Sequence, residues 1–408
     1  MPAANFDMAR LVEPIGVETF LGEYWEKQPL VIPRGDPGHY AGLLSTADVD
    51  RVIAFTRPKF ADQGALRKDA RREETYVQGW LADRLGLEGT SFPGITELHE
   101  VYSRGKTLVI MTMQQRWSPV AVLCRNLEST FRCPVHANMY LTPGGAQGFD
   151  VHFDTHEVLV LQLEGSKHWR LFGCPRPFPL VGERFEVPRD QRGEPRDIHL
   201  EAGDLLYIPR GYLHEAFTSE CASLHLTVGV NVIRWADLLH EAIDQATRND
   251  ESFRESVPAG VLAGKDLEGS PAGRFRRLLE DLSRHARLGD AVRNLDDRFF
   301  SQLQPLPDAR FLPPEPVAIL DRDTVLERSP GAICRVVQDG GWVTIEFPGG
   351  KIGGPSKIAA ALGFVAKTAR FPVRDLPEGL GAEGKLVLAR RLVRERLLRV
   401  AVPDATGT

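Results

Sequence analysis

The run Ala137-Asn138-Met139-Tyr140-Leu141-Thr142, followed by Pro143-Gly144-Gly145 and then by Phe149-Asp150-Val151-His152-Phe153-Asp154-Thr155-His156, reads as two extended segments joined by a Pro/Gly turn. Side chains alternate along a strand, so His152, Asp154 and His156 are expected on one face and Val151, Phe153 and Thr155 on the other. That pattern gathers three potential metal ligands. A His-x-Asp pair supplies one imidazole and one carboxylate, two thirds of the 2-His-1-carboxylate set that leaves positions open on iron(II). The best candidate for the third ligand is His214. It ends Gly203-Asp204-Leu205-Leu206-Tyr207-Ile208-Pro209-Arg210-Gly211-Tyr212-Leu213-His214, which reads as a strand, a Pro/Gly turn and the start of the next strand. In a small barrel His214 can return beside His152 and Asp154.

Working outward, Thr107–Met111, 157–163, 168–172, 205–208, 213–217 and 223–232 add further short β-rich runs separated by turn signals. Such spacing predicts an antiparallel barrel or sandwich beginning near Thr107. Val158-Leu159-Val160-Leu161-Gln162-Leu163 is nearly continuously apolar, as expected of a strand covered on both faces. The Pro-rich, charged stretch 174–199 reads as a surface excursion. Ahead of the barrel, Phe20, Leu21, Tyr24 and Trp25 recur at helical spacing before the extended Gln28–Pro33, and Ser45 with Asp48 three residues on predicts a capped helix through Phe55. Residues 81–94 read as loop, and Glu97–Tyr102 as a short helix.

After Arg234 the period changes to helical. Leu238, Leu239, Ala242, Ile243 and Ala246 form one apolar stripe, and Phe275, Leu278, Leu279, Leu282 and Ala286 a second. Gln304–Pro307 and Pro313–Pro316 frame a stiff linker. Beyond it, Ile333–Val337 and Trp342–Phe347 predict a hairpin across Gln338-Asp339-Gly340-Gly341, with helices from Ser356 and from Lys385. Arg390, Arg391, Arg394, Arg396 and Arg399 accompany Glu395 on that last amphipathic stretch and read as a solvated face.

With 50 basic and 55 acidic residues among 408, the chain carries a net charge of -5 and no global basic field, so no direct nucleic-acid binding is expected. Five scattered cysteines, with no C-x-x-C spacing, point to free thiols in a reducing compartment. Without a signal-like N-terminus or an apolar run of about 18 residues, the reading is a cytoplasmic protein with no membrane partner.

In order, the Asn138-x-Tyr140-Leu141-Thr142-Pro143 run, His152-x-Asp154, Leu161–Phe172 and Gly203–Gly211 resemble the JmjC-type cupin oxygenases, specifically the ribosomal-oxygenase branch that hydroxylates histidyl or arginyl residues of ribosomal proteins. Trp25-x-x-x-Pro29-Leu30 adds to the likeness. The resemblance implies a mainly β fold with α: a double-stranded β-helix barrel with N-terminal helices over 1–235, a helical dimerisation region over 236–304, and a winged-helix-like C-terminal domain over 318–402. It implies iron(II) on His152, Asp154 and His214, with 2-oxoglutarate as co-substrate, decarboxylated to succinate as oxygen enters a nearby C–H bond. Lys167, at the Glu164–Lys167 turn, matches the lysine that pairs with the co-substrate's far carboxylate, and Asn138 and Tyr140 match pocket positions. Where the family commonly has a serine contacting the co-substrate, this chain has Gly229, and Thr227 shares its strand face. The Lys167–Phe172 block leans toward the histidyl hydroxylases. A homodimer and a ribosomal protein substrate are implied as partners.

His156 and His225 stay open between substrate contact and satisfied core histidine. Other readings also remain: the same chemistry on a free amino acid, peptide or natural-product intermediate; a germin-like cupin with more histidine ligands; and a non-catalytic cupin binding protein.

Overall fold

The strand on which the fold is built is much longer than the sequence pattern predicts. The computed structural model describes residues 6–56, 60–62, 75–77, 95–147, 149–183, 187–188, 192–264, 270–306 and 319–401. Its principal sheet contains β1 Leu30–Ile32, β2 Phe60–Asp62, β3 Thr75–Val77, β4 Leu108–Ile110, β5 Val135–Thr142, β6 Glu157–Leu171, β7 Arg196–Glu201, β8 Leu205–Ile208, β9 His214–Phe217 and β10 Ser223–Val230. The first part of β6 pairs with β8 on one side and β10 on the other; its last part pairs with β7 and β9. β10 in turn pairs with β5, and β5 with β4. A single strand therefore belongs to both walls of the antiparallel barrel.

Two expectations need correction here. The Glu164–Lys167 turn does not form, because Gly165 lets the strand pass through an irregularity instead of reversing. It takes a φ of +66°, and a Cβ there would lie 1.8 Å from the Ala222 carbonyl oxygen, so the close crossing of β10 requires glycine. The second concerns 149–154, which is irregular rather than a strand. It is held by one β-bridge, in which the amides of His152 and His214 donate to each other's carbonyls at 3.1 and 2.8 Å, and by the Gly211 amide donating to Asp154 O at 3.0 Å. The excursion read over 174–199 closes with β7, whose alternating Ile198 and Leu200 point into the barrel.

Alternation fills the core. Val158, Val160, Trp169 and Leu171 of β6 meet Ile198 and Leu200 of β7, Leu206 and Ile208 of β8, and Ala216 of β9. Each large aliphatic side chain buried this way contributes roughly 1.5–3 kcal/mol. The N-terminal segment is clamped onto the outside of this wall. β1 pairs with β8, while Trp25 stacks between Phe131 at 4.4 Å and Tyr207 at 5.7 Å. The predicted Ser45 cap is present: its hydroxyl donates to Asp48 Oδ2 at 2.7 Å at the start of the Thr46–Thr56 helix. The loop read over 81–94 lies outside the described residues, as does most of the Pro-rich linker.

Two compact units separate, 1–231 together with 305–408, and 232–304. Among the described residues the second holds the α-helices Trp235–Asn249, Ser270–His285 and Leu288–Gln302, the last of which the sequence pattern did not resolve. Buried Glu241 ties the first to the third by accepting from Asn294 Nδ2 at 2.8 Å and from Arg298. In the first unit, residues 319–401 contribute β11 Val325–Arg328, β12 Arg335–Asp339, β13 Trp342–Phe347, β14 Gly350–Pro355, β15 Arg370–Pro372 and β16 Leu398–Val400. They form two three-stranded sheets, ordered β15-β11-β16 and β12-β13-β14. Helices Ala359–Lys367 and Ala382–Arg394 bury Leu362, Val365, Ala389 and Leu392 against Leu326, Val343 and Ile345.

Candidate metal centre

His152 and Asp154 come from the irregular segment, and His214 opens β9 directly across the bridge. Their ligating atoms all lie within 4.8 Å of one another. His152 Nδ1 faces the Asp150 carbonyl at 2.8 Å and His214 Nδ1 faces the Tyr212 carbonyl at 3.0 Å. Each carbonyl can accept only if Nδ1 carries the proton, which leaves both Nε2 lone pairs free to bind a metal. His214 Nε2 stands 3.6 Å from Asp154 Oδ2.

The electrostatics favour the ligand form of His214 and Asp154. Burial, then the neighbouring His152, pulls the His214 pKa down to about 4, so its imidazole is neutral at neutral pH. Burial works to raise that of Asp154, yet attraction from His156, His214, His152 and His136 prevails and holds the carboxyl below its ordinary value. Gly211 makes the geometry possible. It has a φ of +87°, and a Cβ would lie 2.2 Å from the Arg176 carbonyl oxygen, so the turn that brings His214 back tolerates only glycine.

These residues line a cavity of about 370 Å³ that also contains Asn138, Tyr140, Lys167, Trp169, His225 and Thr227. Lys167 is 2 % exposed and comes from the continuous β6 rather than from a surface turn. Its Nζ donates to Thr142 Oγ1 at 2.9 Å, and Thr142 in turn receives Thr107 Oγ1 at 3.2 Å. Among the described residues no carboxylate pairs with it, and burial lowers its pKa from 10.5 to about 7. A buried ammonium without a counter-ion is costly. An anion entering the cavity offsets that cost.

Asn138 is fixed by accepting the Thr112 amide at 3.0 Å. Tyr140 stacks on His225, the ring centroids 4.8 Å apart and the planes 2° from parallel. His225 sits 2 % exposed with Nδ1 unpartnered among the described residues, and burial followed by the nearby Lys167 drives its pKa well down. Trp169, edge-on to His225 at 5.5 Å, likewise leaves Nε1 unpartnered. Thr227 lines the cavity, and a Cβ at Gly229 would point at His136 and His156, which line it too.

Gly229 itself has a physical reason. A Cβ there would stand 2.4 Å from His136 Cε1 and 2.6 Å from His156 Cδ2. The two rings pack edge to face at 4.8 Å and occupy the place a serine would take. His156 shares the strand-face pattern of His152 and Asp154 but lies outside the three-residue cluster, packed against His136. His136, Trp169 and Thr142 were not singled out from the sequence. For His136 the signal existed, since it precedes Asn138 and Tyr140 at the same two-residue period on β5. Nothing local marks Thr142 as the partner of Lys167.

Comparison with known proteins agrees with this geometry. Residues 110–238 match the profile of the JmjC domain, which spans the loop carrying His152 and Asp154, all of β6 and the turn to His214. The chain carries a JmjC domain. The chain is 35 % identical over 277 residues to ribosomal oxygenase 1 of Gallus gallus, covering 65 % of this chain and 44 % of the relative. A Dictyostelium discoideum relative, named bifunctional lysine-specific demethylase and histidyl-hydroxylase NO66, is 34 % identical over 263 residues, covering 62 % of this chain and 49 % of its own length. The chain spans about half the length of the curated relatives it matches. In three dimensions it resembles the Escherichia coli ribosomal oxygenase YcfD, solved with cobalt and 2-oxoglutarate, with a TM-score of 0.55 at 19 % identity over 94 % of this chain and 98 % of that one. The JmjC domain therefore has the cupin fold anticipated from the sequence. Among the described residues no helix is long and apolar enough to cross a membrane.

Proposed function

We propose that this chain is an iron(II)- and 2-oxoglutarate-dependent oxygenase that hydroxylates a histidyl or arginyl residue of a ribosomal protein. The observation that carries the reading is the pairing, in one cavity, of a three-donor cluster with a buried ammonium that lacks a counter-ion. The donor set fits the metal: two Nε2 atoms, on rings oriented by backbone carbonyls, and one carboxylate oxygen leave positions open for other ligands. The ammonium fits a dicarboxylate. Iron(II) with 2-oxoglutarate would supply the oxidative decarboxylation that activates dioxygen for insertion into a C–H bond.

The protein's own contributions follow from the site. His152, Asp154 and His214 would hold the metal, and the backbone carbonyls of Asp150 and Tyr212 fix the ring tautomers. Lys167, held by Thr142, takes the far carboxylate and thereby sets which end of the co-substrate faces the metal. Asn138, Tyr140 and Thr227 line the space between. The stacked Tyr140 and His225 rings, with Trp169 edge-on, form an aromatic wall of the cavity.

A protein substrate is favoured by the relatives named ribosomal oxygenase, and a histidyl target by the one named histidyl-hydroxylase. Residues 1–235 would form the catalytic part, 236–304 a dimerisation region and 318–402 an appended domain. Exposed apolar residues support the dimer: Leu239 and Ile243 on one helix, and Phe275 and Leu279 on the next, are left uncovered within the chain. The test incubates enzyme, iron(II), 2-oxoglutarate and oxygen with ribosomal-protein fragments containing His or Arg, and separately with free amino acids and short peptides. A gain of one oxygen atom in the fragments supports the proposal. A gain confined to the small compounds refutes it.

A further inference from the structure

The sequence reading gave the arginines of the last helix to a solvated face. Folding adds what the linear pattern lacks. Across from Arg390, Arg391 and Arg394 of the Ala382–Arg394 helix stands β14, an edge strand among the described residues, and the two enclose a groove of about 480 Å³ whose other lining residues include Lys351, Gly353 and Val387. Four cations from two elements separated by about forty positions thus share one concave surface.

The cations are not equally engaged. Arg391 pairs with Glu395 at 2.9 Å, and Arg390 reaches the Leu320 carbonyl at 3.4 Å while its Nε stays unpartnered. Lys351 and Arg394 have no ion-pair partner among the described residues. The wider charge balance points the same way. Residues 319–401 contain 14 Lys or Arg against 9 Asp or Glu, a net of +5 in a chain whose total is -5, so the rest carries -10. The positive excess therefore belongs to this segment, and the groove with its four cations lies within it.

Beside the groove lies Trp342, 54 % exposed. Its indole edge rests over Gly353, where a Cβ would come within 2.5 Å of Trp342 Nε1. A flat aromatic surface next to guanidinium groups separates two polyanions that charge alone cannot. An acidic peptide has little use for the ring, whereas a single-stranded nucleic acid stacks a base on it while its phosphates meet the arginines. We propose that this groove is a binding site for a single-stranded nucleic-acid segment, three or four phosphates lying along Lys351, Arg390, Arg391 and Arg394 and one base on Trp342.

The test uses the full-length protein and fluorescence anisotropy with labelled single-stranded RNA and DNA of about ten nucleotides, alongside a polyglutamate peptide of matched charge. Expected is oligonucleotide binding whose affinity falls with salt at a log–log slope of about -2 to -3. Lys351→Glu/Arg394→Glu should weaken it more than about tenfold and flatten the slope. Trp342→Ala should weaken it about fivefold or more with the slope unchanged. Arg391→Ala provides a second charge variant should the double substitution lower the melting temperature. RNA and DNA arms of equal strength, or either alone, support the site and say which sugar it accepts. Absence of oligonucleotide binding at low salt, affinity retained in all the variants, or tighter binding of polyglutamate would overturn the proposal.

Discussion

Replacing Lys167 by methionine keeps the length of the side chain and removes its charge. If the ammonium receives the far carboxylate of 2-oxoglutarate, loss of one charge-assisted bond of about 1.5–3 kcal/mol weakens co-substrate binding roughly ten- to a hundredfold. The structure adds a pH dependence to that loss. In the ligand-free fold burial places the Lys167 pKa at about 7, whereas a paired ammonium returns toward 10.5. Binding a carboxylate above neutral pH must then be accompanied by proton uptake. Affinity should fall about tenfold for each pH unit between about 7 and 9, with an uptake approaching one proton per site at pH about 8. The same linkage acts on stability. Because the folded pKa lies below the unfolded one, the unfolded chain binds the extra proton between about 7 and 10.5, and the ligand-free fold gains stability as pH rises through that window. Calorimetric titration of the manganese-substituted protein, repeated in buffers of different ionisation enthalpy, measures both affinity and proton uptake. Flat affinity from pH 7 to 9, or an identical pH profile in Lys167→Met, would refute the reasoning.

Four further outcomes are expected. Asp154→Ala should lower metal affinity more than about a hundredfold and abolish 2-oxoglutarate turnover, as read by metal titration and succinate release. His214→Ala should behave alike while His156→Ala keeps the metal; the reverse pattern would return His156 to the ligand set. Gly229→Ser should cost roughly 1–3 kcal/mol of stability through collision with His136 and His156, and His136→Ala should recover part of it in a double-mutant cycle of denaturant melts. Light scattering at micromolar concentration should give twice the 45.3 kDa chain mass; a monomer with intact activity would remove the dimer.

The barrel was legible because its strands alternate and its turns carry Pro and Gly where reversals occur. Periodicity could not say that β6 would run straight through Glu164–Lys167, since a glycine signals a turn as readily as a close crossing. What decides between them is the backbone of Ala222, remote in sequence. The same limit explains His156. Alternation placed it with His152 and Asp154, but alternation holds only on a paired strand, and this segment has a single bridge in place of a ladder. The structure gathers His152, Asp154 and His214 into one cluster because His214 follows a turn that can reverse in few ways. The third helix of the 232–304 unit escaped because its inward side is held by Glu241, Asn294 and Arg298 rather than by an apolar stripe alone. The basic groove could not be read at all, since Lys351 meets the arginines only after β14 and the Ala382–Arg394 helix pack on a common core.

Hydroxylation of a ribosomal protein is the activity proposed for this cavity. Intact-mass spectrometry of ribosomal proteins tests it most directly, comparing cells that carry this chain with cells that carry the Asp154→Ala variant. The expected result is one ribosomal protein heavier by a single oxygen atom in the first and unmodified in the second, with the added oxygen on a histidyl or arginyl side chain. Identical ribosomal-protein masses in the two, with the purified wild-type protein still consuming 2-oxoglutarate, would contradict it.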